Sequence, residues 1–256
     1  MVGAGVIGEA IIASLLRSGF SADSITILEK RLERVDELRG KYGVDTGTIE
    51  GSDVILLATK PHDLEKTLEV ISKSIKASSL LVSLLAGVRS GKIESLIPAS
   101  VRVVRVMPNT PLLISKGMSV VAGGSRVSES DIAWVRELMS KSGRVLVMQE
   151  KDMDAVTATS GSGPAYFFAF VEAMISAATR LGLDESSAKT LVSQTLVGAA
   201  AMLDQSGKEA RELRENVTSP NGTTAAALDV FNAKKLDEIV YEAMKAARDR
   251  SIELSN

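Results

Sequence analysis

The sequence predicts an α/β protein in two parts: a doubly wound domain on a mostly parallel sheet, then an all-helical region. Three observations predict it. Short β-rich runs alternate with amphipathic segments up to about residue 150, those runs are apolar throughout, and beyond residue 150 strand-like runs give way to helical patterns. Continuously apolar runs mark strands buried on both faces, as a parallel sheet requires. The alternation of strand and helix gives the doubly wound class.

Strands are expected at residues 24–28, 53–58, 79–86, 101–107, 117–123 and 144–148. Helices are expected between them, at 8–18, 31–41, 62–76, 89–96 and 128–141. The second part should hold helices at 164–182, 184–206, 208–216, 222–232 and 235–254. Small residues and then Pro164 supply a start signal for the first of these. That helix is apolar nearly all round, with Glu172 and Arg180 as its few charges. Such a helix is wrapped by other helices or by a second subunit. The domains are therefore placed at 1–150 and 151–256.

Composition removes several classes of chemistry. Apolar residues make up 45% of the chain, and 30 basic residues nearly balance 32 acidic ones. That balance gives no electrostatic case for nucleic acid or an anionic membrane. No apolar run reaches the roughly 20 residues that span a bilayer, and no signal-peptide pattern is seen. The expectation is a soluble cytoplasmic protein. With no cysteine and His62 as the one histidine, thiolate zinc, a cysteine nucleophile, a multi-histidine metal site and a Ser-His-Asp triad all drop out. No metal is expected.

The first motif stands at the start. Gly3, Gly5 and Gly8 form Gly-x-Gly-x-x-Gly, with Ala4, Val6 and Ile7 between them. A helix, a strand and then acidic Glu29 follow, Glu29 by about 20 residues after Gly8. This is the fingerprint of a Rossmann-like dinucleotide site: a tight turn, close pyrophosphate approach, and a helix N-terminus facing the phosphates. The alternative is a purely structural glycine turn. Glu29 suits a ribose 2′-hydroxyl and so NAD, whereas Lys30 and Arg31 suit a 2′-phosphate and so NADP; these residues leave both open. Only Met1 and Val2 precede Gly3, so the first strand is almost absent. Either the fold tolerates a stub or the true start lies upstream.

Two loops end strands at the edge where ligands bind in open α/β sheets. One is Ala58-Thr59-Lys60-Pro61; the other is Pro108-Asn109-Thr110-Pro111, held rigid by its two prolines. Late in the chain, Ser219-Pro220-Asn221-Gly222-Thr223-Thr224 turns directly into a helix, whose unpaired first N–H groups make an anion site. On the motif alone, Ser219 or Thr218 could be only an N-cap.

Taken together, these motifs resemble the pyrroline-5-carboxylate reductase family over essentially the whole chain. The resemblance rests on the glycine turn, "ATKP" (58–61), "LLAGV" (84–88), "RVMPNTP" (105–111), "DAVTATSGSGPAY" (154–166) and "NVTSPNGTTAAAL" (216–228). Asn221 stands where glycine is usual in that turn, and the segment 43–54 is shorter than usual. The resemblance implies reduction of 1-pyrroline-5-carboxylate to L-proline, the last step of proline biosynthesis, by hydride from NADPH or NADH. It implies that Gly222, Thr223 and Thr224 bind the substrate carboxylate through backbone N–H groups, with Ser219 in the same loop. It gives the Thr224 hydroxyl a catalytic place near the ring nitrogen. Glu150 and Asn216 match substrate-contacting positions, Glu150 through neighbouring backbone. On the cofactor side it implies Ala58, Thr59, Lys60 and Pro61 along the ribose and pyrophosphate, Ala86 near the nicotinamide, and Asn109 shaping that end. His62 is read as a partly exposed helix-start residue. The helical half is implied to form a homodimer, with rings of dimers in some relatives. The alternatives are a reductase of another cyclic imine or small acid, and a non-enzymatic NAD(P) sensor. A β-hydroxyacid dehydrogenase would need a lysine that 161–174 does not offer.

Overall fold

The computed structural model describes residues 1–254. They divide into two compact units: Met1–Pro164 together with the chain from Lys245 onward, and Ala165–Met244.

The first unit is a twisted sheet with helices on both faces. Its strands are β1 (Thr26–Ile27), β2 (Asp45–Thr46), β3 (Val54–Leu57), β4 (Leu80–Ser83), β5 (Arg102–Pro108), β6 (Gly117–Gly123) and β7 (Gly143–Val147). β3, β4 and β5 run parallel, β6 is antiparallel to β5, and β7 is parallel to β6. β1 and β2 form a parallel pair of their own. Val2 joins the two groups, bridging Leu28 on one side and Leu57 on the other. Its N–H donates to Leu56 O and its carbonyl accepts from Ala58 N, both at 2.8 Å. On the other side Leu28 N donates to Met1 O at 2.8 Å and Gly3 N donates to Leu28 O at 2.9 Å, so Val2 sits between bonded neighbours.

The helices of this unit are α1 (Val6–Arg17), α2 (Leu32–Tyr42), α3 (Leu64–Ile71), α4 (Ser90–Ser95), α5 (Glu129–Ser140) and the short α6 (Met153–Val156). Alternate residues of one strand feed opposite cores. Leu80 and Val82 of β4 join Ile11, Leu38 and Val135 from α1, α2 and α5. Leu81 joins Leu68 and Ile93 from α3 and α4. That double burial is why the central strands read as continuously apolar.

Three expectations need correction. The helix expected at 62–76 is shorter: Pro61–Asp63 forms a 3₁₀ turn and α3 ends at Ile71. Its buried stripe of Leu64, Leu68 and Ile71 ends there, and serines follow that favour turns over helix. The strand expected at 144–148 lies at the sheet edge, with Leu146 and Val147 exposed, so it is not buried on both faces. β2 was not foreseen, because two exposed residues carry no apolar pattern.

The second unit consists of helices. α7 (Gly163–Arg180) enters it, α8 (Glu185–Gln205), α9 (Ala210–Asn216) and α10 (Thr223–Ala233) lie within it, and α11 (Leu236–Glu253) leaves it. An N-cap on Asp184, whose side chain accepts from Ser187 N, starts α8. Phe170 of α7 and Phe231 of α10 approach with ring centroids 6.4 Å apart. Much apolar surface remains open, including Phe167 and Phe168 on α7 and Ile239 on α11, each more than half exposed. No helix among the described residues is long and apolar enough to cross a membrane.

Candidate dinucleotide and substrate sites

The carboxyl ends of the central strands carry the motifs. The glycine turn follows Val2, Glu29 follows β1, Ala58–Lys60 follows β3, Ala86 follows β4 and Asn109 follows β5. The first three groups border one cleft of about 760 Å³, lined by Gly3, Ala4, Gly5, Glu29, Lys30, Arg31, Ala58, Thr59 and Lys60 among others. Val6, Ile7 and Gly8 form the first turn of α1, beside that lining. Pro61 opens the 3₁₀ turn. Ala86 and Asn109 are placed farther along the strand ends, outside this cleft's lining.

The glycines fit that role for separate reasons. Gly3 has φ +81°, and a Cβ there would stand 2.8 Å from Ala58 O. A Cβ on Gly8 would stand 2.6 Å from Gly3 O, so Gly8 lets α1 lie against the turn. Gly5 faces open space, with no heavy atom within 4 Å of a Cβ. No side chain caps the start of α1, which leaves its first-turn N–H groups for an anion. The buried Thr59 Oγ1 at the same cleft has no hydrogen-bond partner. A turn of bare backbone, an uncapped helix start and an orphaned hydroxyl fit a diphosphate-bridged dinucleotide.

Glu29 is held firmly. Its Oε2 accepts from Ala4 N at 3.2 Å, and its Oε1 from Arg31 N at 3.1 Å. The Arg31 guanidinium grips the same carboxylate through Nε at 3.0 Å and Nη2 at 3.1 Å. The Arg31 bonds, against the opposing effect of burial, hold the Glu29 carboxyl down at about 2. Glu9 on α1 is similar. Burial pushes its carboxyl up, but bonds from Lys41, Arg34 and Tyr42 outweigh this and bring it to about 2. Both carboxyls lie below their ordinary value of 4.5, so their contribution to stability is full above that value and is lost as pH falls toward about 2. We expect the melting temperature to fall steeply across that window. In Glu9→Gln the fall should be shallower; an unchanged acid slope would show that Glu9 is not one of the groups responsible.

Sequence reading did not foresee several residues. Thr46, Asp63, Lys66 and Thr67 also line the cleft. Their only signal was position near a strand end or the following helix. His62 lines it too, with a side chain 73% exposed beside Asp63. Asn109 is buried, and both of its amide atoms are engaged: Nδ2 donates to Ser160 O at 3.0 Å, and Oδ1 accepts from Met118 N at 2.8 Å. It shapes its surroundings by tying three segments together.

Glu150 is likewise a tie. Its carboxylate accepts from Ser90 N and Ser90 Oγ, each at 2.6 Å, and from Arg105 Nη1 at 3.0 Å. Burial raises its carboxyl, but these bonds outweigh burial and leave it below the ordinary range. The Arg105 side chain is 4% exposed. An arginine in the middle of the apolar run of β5 was the available signal, because a buried cation needs a partner.

In the second unit, Asn216 ends α9, and residues 217–222 turn into α10. Asn221 takes φ 58°, the left-handed conformation that asparagine tolerates better than most side chains. Gly222, not Ser219 or Thr218, is the N-cap, and no side chain caps α10. Gly222 N donates to Ser219 O at 3.0 Å, which closes the turn. Thr218 Oγ1 instead donates back to Arg214 O at 2.6 Å. Thr223 and Thr224 open the helix with their amides uncapped.

Fold and cleft define a Rossmann-type dinucleotide-binding protein with a helical C-terminal part. Two family models match: "Pyrroline-5-carboxylate reductase dimerisation" over residues 150–254 and "NADP oxidoreductase coenzyme F420-dependent" over residues 1–87. The pyrroline-5-carboxylate reductase of Corynebacterium melassecola is 39% identical, covering 99% of this chain and 97% of its own. Pyrroline-5-carboxylate reductase 2 of Bacillus subtilis is 36% identical, covering 99% and 93%. Among solved structures, the Coxiella burnetii pyrroline-5-carboxylate reductase superposes with a TM-score of 0.89 at 33% identity, over 100% of this chain and 97% of that one. The Plasmodium falciparum pyrroline carboxylate reductase, solved with NADP bound, gives 0.88 at 28% identity, again over 100% and 97%. The chain belongs to the pyrroline-5-carboxylate reductase family.

Proposed function

We propose that this chain reduces 1-pyrroline-5-carboxylate to L-proline, with NADPH or NADH as reductant. The observation that carries the reading is the relationship to named reductases over 99% of the chain. The geometry of the cleft and of the loop before α10 supports it.

The first unit would hold the cofactor. Gly3, Ala4, Gly5, Val6, Ile7 and Gly8 would meet the diphosphate, with Glu29, Lys30 and Arg31 at the adenosine ribose. Ala58, Thr59, Lys60 and Pro61 would follow the chain of the cofactor, and Ala86 and the Asn109 loop would border the nicotinamide. When bound, the reduced nicotinamide supplies a hydride for C5 of the substrate ring.

The second unit would hold the substrate. The amides of Thr223 and Thr224 would bind its carboxylate, with Asn216, Ser219 and Gly222, whose N–H closes the turn on Ser219 O, shaping the loop. The Thr224 hydroxyl would accept a hydrogen bond from the protonated ring nitrogen. The substrate's own iminium proton would stay on nitrogen as the amine forms, so no strong protein acid is required. A chain without cysteine and with one exposed histidine suits chemistry that depends on orientation and charge placement. Glu150 would act through the backbone it holds at Ser90.

We also propose that the protein works as a homodimer, or as a ring of dimers. The apolar surface left open on α7 and α11, and the match of 150–254 to a dimerisation model, support this. The test is absorbance at 340 nm with each reduced cofactor and pyrroline-5-carboxylate. Decay with either is expected. Cofactor binding without decay would move the assignment to another cyclic imine or to a sensor.

A further inference from the structure

The family name does not decide between the two cofactors, since a relative is solved with NADP bound. The geometry around Glu29 bears on it directly. The carboxylate is fixed between the glycine turn and Arg31, and only 9% of its side chain is exposed. Any substituent at the ribose 2′ position therefore meets an oriented anion. A hydroxyl can donate to it. A phosphate monoester carries about −1.5 to −2 charge near neutral pH and is repelled.

The arginines beside Glu29 already carry partners, while Lys30, Lys60 and Lys66 line the same cleft. Both forked donors of Arg31 are used on Glu29. Arg34, just behind, donates to Ala4 O at 2.9 Å and to Glu37 at 2.7 Å, and pairs with Glu9. Arg31 could turn its remaining Nη1 donors to a 2′-phosphate only with its charge already shared with Glu29, whose carboxylate would stay beside the dianion. Lys30 lies 4.0 Å from Asp63 and largely in solvent, where a point charge is screened.

We propose that this chain takes NADH in preference to NADPH, and that Glu29 is the selecting residue. It accepts the ribose 2′-hydroxyl and, by drawing Arg31 into a bidentate pair, offsets the positive charge that this guanidinium would otherwise offer a 2′-phosphate. The proposal rests on the dinucleotide reading of the cleft, so its test measures binding and not turnover. The full chain is titrated with NADH and NADPH by nicotinamide fluorescence. Calorimetry with 5′-AMP and adenosine 2′,5′-bisphosphate isolates the adenosine end.

The unphosphorylated member of each pair should bind about tenfold tighter or more, the size of a charge-assisted hydrogen bond gained or lost. Glu29→Gln removes the anion and frees Arg31, and should abolish or reverse the ratio. Arg31→Ala keeps the anion and should preserve it, which supplies a second variant if the first folds poorly. Equal or tighter binding of NADPH by the wild type overturns the proposal, as does an unchanged ratio in Glu29→Gln or a reversed one in Arg31→Ala. Binding of neither cofactor would instead remove the dinucleotide reading, and the preference with it.

Discussion

Replacing Thr224 by alanine is expected to lower kcat for pyrroline-5-carboxylate about hundredfold, the low end for loss of one positioned hydrogen-bonding group at a reacting centre. Binding of NADH or NADPH should stay within about twofold, because Thr224 opens α10 in the second unit and the cleft belongs to the first. The fold should survive. Gly222 is the N-cap, no side chain caps α10, and alanine is a good helix former. Thr224→Ser keeps the hydroxyl and should recover most of the activity. Steady-state kinetics and fluorescence titration on one preparation separate the outcomes. A parallel loss of cofactor affinity in Thr224→Ala would remove the assigned role, as would a serine variant no better than alanine.

Glu150→Ala should produce the largest loss of stability. It leaves the Arg105 guanidinium, almost wholly buried on β5, without the carboxylate that faces it. It also strips Ser90 of both its acceptors at the start of α4. Removing one partner of a buried ion pair costs about 3–5 kcal/mol, which for a chain of this size is on the order of 10 °C in melting temperature. Glu150→Gln keeps an acceptor for Ser90 and should fall in between. Thermal unfolding followed by circular dichroism would measure this. A shift of only a degree or two in Glu150→Ala, with a raised KM for pyrroline-5-carboxylate, would instead favour direct contact between this carboxylate and the substrate.

The comparison of sequence with structure turns on distance along the chain. The glycine turn, Glu29 and the Ala58–Pro61 loop were legible because each is a local device: a positive φ, a helix start, a strand end. The loop before α10 was legible for the same reason, and Asn221 at φ 58° shows how it does without the usual glycine. Glu150 was legible only as a position. Its carboxylate is claimed by Ser90 and Arg105, residues 60 and 45 positions away, and no local pattern announces such a meeting. The charge of Arg105 in the middle of an apolar strand said that a partner must exist, but not which one.

The sequence by itself determined the order of elements, the doubly wound class, the helical second part and the residues from which a dinucleotide site is made. Periodicity, glycine stereochemistry and turn chemistry act within a few residues, so they are written in the order of residues. Tertiary structure placed Val2 between the two strand groups, its own hydrogen bonds going to the β3 side and those of Met1 and Gly3 to Leu28. It decided that β6 runs against its neighbour and that β7 lies at the edge. It also set the Glu29 carboxylate on Ala4 N, 25 residues away, which orients an anion at the cleft. These are consequences of which surfaces meet when the chain closes on itself, and a linear pattern of apolar and charged residues leaves several such meetings equally open.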